Sequence, residues 1–142
     1  MKCPICNAQL SETKSLPHNL DAEAAVLGGI LLHPGEVANR VSGLLQPEDF
    51  YSPAHQEIFS AILELDKVQW PIDITSLAEQ LREWDKLTVV GGVEALVELS
   101  GRGDTAESVV VNARIVREKS TLRRLIRTSA ELVSGAEASS VA

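Results

Sequence analysis

The chain has 142 residues, 44% of them apolar and 23% charged, with a net charge of −7. That length suits one domain with a core of its own, and no apolar run approaches the roughly 20 residues that would span a bilayer. Two cysteines three positions apart exclude a disulfide framework, and the start Met1-Lys2-Cys3-Pro4 lacks the apolar stretch of a secretory signal, so a reducing, cytoplasmic setting is the expectation.

Residues 1–15 show no sustained period and are expected to be a flexible tail. After Pro17 every strong signal is helical. Asn19 suits an N-cap, Asp21 and Glu23 suit the positive end of the helix, and Ala22, Ala25, Val26, Gly29 and Ile30 form one face. His33-Pro34-Gly35 breaks this helix. Val37, Val41, Leu44 and Leu45 then recur at helical spacing until Gln46-Pro47.

The stretch Asp49-Phe50-Tyr51-Ser52-Pro53-Ala54-His55-Gln56-Glu57-Ile58-Phe59 gathers an acid, a phenol, a hydroxyl and an imidazole, the materials of an active site. Asp49, Tyr51 and His55 have no third partner at a spacing that specifies a triad, and nucleophilic catalysis needs all three roles filled. Ser52 sits where an N-cap belongs, Pro53 takes the first helical position, and Ile58, Phe59, Ile62 and Leu65 supply an apolar face. The stretch reads as a helix start, with His55 a packed or first-turn histidine.

Further on, Asp73 is placed to cap a helix with the face Ile74, Leu77, Ala78, Leu81 and Trp84. Gly91-Gly92 gives entry to a shorter helix carrying Val93, Leu96, Val97 and Leu99. Asp104 with Glu107 three residues on makes a capping-box start, and no Gly or Pro follows before Gly135. Residues 105–134 therefore read as one helix of about 30 residues, or about 45 Å. Val109, Val110, Ala113 and Val116 are placed to pack on the body; Leu122, Leu125, Ile126, Leu132 and Val133 fall on the part projecting beyond it and are the expected subunit interface. The expected fold is all-α: a compact headpiece of about five to six helices over residues 16–112, one long helix through 113–134, and a flexible tail at 135–142.

Charge is unevenly spread. Residues 114–127 hold six basic side chains against Glu118 alone, a net +5; residues 1–113 hold 7 basic and 17 acidic side chains, a net −10; residues 128–142 add −2. Arg117, Arg123, Arg124 and Arg127 form two rows at helical spacing, a candidate contact for a polyanion or a partner, although no aromatic side chain accompanies them to stack bases. A free-standing regulator that grips nucleic acid through residues 114–127 is the alternative reading of the whole chain. Cys3 and Cys6 make half of a tetrahedral zinc site, but no second pair follows and the three histidines are scattered. No metal is the reading taken, with Cys3 and Cys6 as the alternative ligands.

Five blocks in order and spacing carry a resemblance: "LPHNLDAEAAVLGGILL" from Leu16, "DFYSPAHQEIFSAILEL" from Asp49, "PIDITSLAEQL" from Pro71, "VGGVEAL" from Val90 and "ARIVREKSTLRRLI" from Ala113. Together they resemble the N-terminal domain of the bacterial replicative DNA helicase of the DnaB type, over roughly residues 16–134. Where that family commonly has an aromatic residue, this chain has Ala95. The resemblance implies a helical headpiece followed by the first helix of a hairpin that pairs subunits into dimers and a trimer-of-dimers hexamer. It implies docking of primase and of a helicase loader on that collar, and contact with DNA through the parent hexamer. It also implies that the catalytic motor, with its ATP and magnesium, lies in a C-terminal domain. No G-x-x-x-x-G-K-[ST] segment occurs here, so this chain is expected to be a fragment with no catalytic residue and no cofactor of its own.

Overall fold

In the computed structural model, residues 16–141 are described; Cys3, Cys6 and the stretch expected to be a tail lie outside them. Among the described residues seven α-helices follow one another: α1 (Leu20–Leu32), α2 (Pro34–Ser42), α3 (Pro53–Lys67), α4 (Ile74–Glu83), α5 (Leu87–Val90), α6 (Gly92–Ser100) and α7 (Ala106–Val141), with a 3-10 turn at Pro47–Asp49. No strand occurs among the described residues, and no helix is long and apolar enough to cross a membrane.

The caps follow from local chemistry. The Asn19 side chain accepts the Ala22 N–H at 2.9 Å, Ser52 accepts that of His55, and Asp73 accepts that of Ser76 at 2.8 Å. Each satisfies an N–H that the first turn leaves without a helical partner. At the last helix the cap is Thr105, whose hydroxyl accepts the Ser108 N–H at 3.1 Å, so the expected Asp104 start is displaced by one residue.

α1 is the axle of the headpiece. Its buried residues run through Ala22, Glu23, Ala24, Val26, Leu27, Gly28, Gly29 and Ile30, so it is enclosed on more than the one face its periodicity suggested, and Ala25 is only half-buried. Two glycines allow that enclosure. A Cβ on Gly28 would collide with the Leu99 carbonyl and the Gly103 backbone, and one on Gly29 with the Val109 side chain. Backbone from the α6–α7 loop and a valine from α7 therefore lie against α1 on two sides. Phe50, Phe59, Leu65, Leu77, Leu81 and Leu96 complete the core.

Two other expected faces need correction. On α6 only Leu96 and Leu99 are buried, and Val93 and Val97 face solvent; Trp84 stands at the C-cap of α4, partly exposed. Most consequential is α7, which runs for 36 residues, about 54 Å. The residue 112/113 division falls inside this helix. Gly135 does not end it, so the segment expected to be a tail is helical as far as Val141. One glycine in a helix interior costs only about 1 kcal/mol, too little to stop a helix with good formers on both sides.

Candidate functional site: a polar clasp and a projecting helix

The buried positions of α7 are Ala106, Val109, Ala113, Val116, Ser120 and Arg123, spaced 3, 4, 3, 4 and 3 apart. This is a single seam facing the body. Its first four members are apolar and fill the core. The last two are polar and close a network.

At the centre of that network is the stretch that resembled an active site. Asp49, 5% exposed, accepts the Gln46 N–H at 2.8 Å through Oδ2 and the Ser120 hydroxyl at 2.6 Å through Oδ1. Arg124 reaches the same Oδ1 at 3.7 Å. Arg123, 4% exposed, donates one guanidinium N–H to the Pro17 carbonyl at 2.9 Å and another to the Asp49 carbonyl at 2.6 Å. It also stands 5.5 Å over the Tyr51 ring, whose other neighbour is His18, stacked at 4.0 Å. Desolvation holds the Arg123 guanidinium below its ordinary pKa and Arg127 adds to that, while Glu23, Asp49 and Tyr51 oppose it.

Glu23, 1% exposed, anchors the far side. Its carboxylate accepts the Tyr51 N–H at 2.6 Å, the Ser52 N–H at 3.4 Å and His55 Nδ1 at 2.8 Å. A buried carboxylate at the start of α3 is favoured by the helix dipole as well as by these donors. The polar side chains are thus spent on tying three pieces together: the lead into α1, the loop before α3, and α7. Asp49 faces Ser120 and Arg124 while His55 faces Glu23, so the acid and the imidazole are not brought together as reacting groups. Glu23 went unrecognised in the sequence as a buried anion; the available signal was an acid flanked by Ala22, Ala24, Val26 and Leu27 on a helix with little polar surface.

The structure divides the four arginines. Arg123 belongs to the clasp and is no surface contact, which corrects its assignment to a polyanion-facing row. Arg117 donates to the Leu44 carbonyl at 2.8 Å, Arg124 rests on Asp49, and Arg127 makes no hydrogen bond or ion pair with a described residue.

Beyond Arg123 the seam stops, and every side chain over residues 124–139 is exposed. Leu122, Leu125, Ile126, Leu132 and Val133 are 43% to 68% exposed. At about 100° per residue their mean direction is turned roughly 165° from the seam, so this is the opposite face of the helix and not a continuation of the first. At its base, a groove of about 470 Å³ runs between Leu44 and Leu122, walled by Arg114, Arg117 and Thr121.

The family model of the DnaB-like helicase N-terminal domain matches residues 15–118. The replicative DNA helicase DnaB of Geobacillus stearothermophilus is 41% identical over 125 residues, which are 88% of this chain and 27% of that helicase. The chain spans about a quarter of the length of such curated relatives. Among solved structures, the N-terminal domain of the DnaB helicase of Mycobacterium tuberculosis superposes with a TM-score of 0.80 at 38% identity, covering 84% of this chain and 86% of that one. A DnaB-like replicative helicase described with its interactions with primase superposes at 0.71 and 28% identity, covering 84% of this chain and 28% of that one.

Proposed function

The chain belongs to the DnaB-like helicase N-terminal domain family, and from that premise we propose that it is the assembly and partner-docking domain of a replicative helicase, with no catalytic residue of its own. In this reading the parent protein unwinds DNA with ATP and magnesium bound in another domain. The headpiece described here sets the geometry of the collar, and copies of the chain associate through α7. Primase and a helicase loader are the proposed docking partners, and DNA is met through the assembled parent.

The observation that carries the proposal is the apolar face of Leu122, Leu125, Ile126, Leu132 and Val133, displayed on the part of α7 that the body does not cover. Burying each such side chain is worth about 1.5–3 kcal/mol. Association costs roughly 4–15 kcal/mol, so most of the five must be covered on both chains for a stable pair. A regulator reading through the basic row is disfavoured, because Arg117 and Arg123 are already engaged with carbonyls of this chain.

Sedimentation of the wild type and of Leu125→Asp with Ile126→Asp tests the proposal. We expect concentration-dependent dimers for the wild type and monomers for the double variant. A wild-type monomer at high micromolar concentration, unchanged by the substitutions, removes this face as an assembly surface.

A further inference from the structure

Where α7 leaves the body, a pocket of about 320 Å³ opens between the 3-10 turn and the helix. Four guanidiniums line it, those of Arg117, Arg123, Arg124 and Arg127, against two carboxylates, Glu48 and Asp49, a net +2. The floor is rigid, because Ser120, Asp49 and Arg123 are buried and hydrogen-bonded to one another's segments. Both Asp49 oxygens are already occupied, one by Gln46 and the other by Ser120 and Arg124. The rim is different. Arg124 is 61% exposed and Arg127, one turn from Arg123, has neither a hydrogen bond nor an ion pair among the described residues.

We infer that this pocket is a phosphate-binding site, in which the guanidiniums of Arg124 and Arg127 clamp a phosphate group while Arg117 and Arg123 supply the fixed positive field beneath it. Guanidinium forks match phosphate oxygens bidentately, and a pocket with a held floor loses little freedom on binding. Like charge between Arg123 and Arg127 is relieved when an anion sits between them, since the Arg127 charge lowers the tendency of Arg123 to stay charged. A compact phosphate, as on a nucleotide or free in solution, fits better than a long strand. A strand leaving the pocket meets Glu48 and then a body carrying −10 over residues 1–113. Occupancy would bridge the loop before α3 to the first exposed turn of α7, stiffening the point where the helix departs.

The test uses the full 142-residue chain at constant ionic strength, with inorganic pyrophosphate as the probe, followed by amide chemical shifts and calorimetry. Saturable binding with shifts confined to residues 46–49 and 117–127 is expected, weakened roughly tenfold or more by Arg124→Gln with Arg127→Gln, since each charge-assisted contact is worth a factor of that order. Arg127→Gln alone, at a side chain with no hydrogen bond or ion pair to lose among the described residues, keeps the test valid if the double variant folds poorly. Arg82→Gln, on α4, serves as the control and should change nothing. A short single-stranded oligonucleotide provides the second arm. If it binds more tightly than pyrophosphate and loses that binding in the same variants, the phosphate comes from a nucleic-acid backbone; if it binds less tightly, the compact source stands. A pyrophosphate response no larger than that of chloride, or one equal in wild type and variants, overturns the site.

Discussion

Residues 106–123 and 124–141 belong to one unbroken helix and differ in almost everything else. The first half has a seam every three or four residues, apolar through Val116 and then polar at Ser120 and Arg123, and each member meets a partner on the body. The second half has no buried side chain among those described, and its apolar residues point roughly 170° away from that seam. Helix continuity is therefore no guide to shared energetics. The first half is held by tertiary contacts; the second, past the Arg124–Asp49 ion pair at its start, holds itself up by helix propensity and by being attached to the first.

The sharpest way to break the contrast is to make the same change in both halves. Arg123→Ala removes two hydrogen bonds to carbonyls and a cation beside the buried Asp49, and should cost about 3 kcal/mol. Arg127→Ala, one turn further, should fall within about 0.5 kcal/mol of wild type, as surface changes generally do. Urea unfolding of the dilute chain gives both numbers. Equal losses would mean that the clasp does not carry the load assigned to it.

Glu23→Gln tests the clasp from the other side and ranks next. The amide retains the shape but offers an N–H where the Tyr51 and Ser52 N–H groups and His55 need an acceptor, so a loss of about 1–3 kcal/mol is expected in thermal or urea melts. Because the clasp joins Glu23 to α7 through Tyr51, whose ring Arg123 overlies, while the apolar seam packs on α1 independently of it, amide protection along residues 109–116 should survive in the fraction that stays folded. A variant as stable as wild type would show that the carboxylate charge is dispensable there.

What the sequence revealed and concealed follows the same division. Caps at Asn19, Ser52 and Asp73 were legible because donor and acceptor lie three residues apart. The exposed apolar set on α7 was legible because nothing had to be known of the body except its size. Glu23 and Arg123 were not, since their partners lie 28 to 32 and 74 to 106 residues away, and periodicity reads only one helix at a time. A charge run suggests a solvated face on average, and Arg123 is the member for which that average fails. The signal that would have singled it out is the spacing Ala106, Val109, Ala113, Val116, Ser120, Arg123, in which it holds the sixth place of an inward seam.

The smallest expected effect sharpens the comparison most. Gly135 lies inside the exposed half, and a Cβ there would meet nothing within 4 Å. Glycine in an exposed helix interior is about 1 kcal/mol worse than alanine, so Gly135→Ala should strengthen this half of the helix by roughly that amount. The gain should be local. If residues 124–141 open without disturbing the seam, amide exchange over 131–139 slows about fivefold in the dilute chain while the global unfolding midpoint stays where it was. Sedimentation of the same variant at high concentration reads the other state. Should a second helix approach closely at residue 135 in the associated form, the added methyl weakens association even as it stabilises the monomer, and the two measurements move in opposite directions. A global midpoint that rises by the full increment would show instead that the two halves melt as one unit. The difference between them would then be one of contacts alone, because the projecting half would be drawing on the stability of the seam.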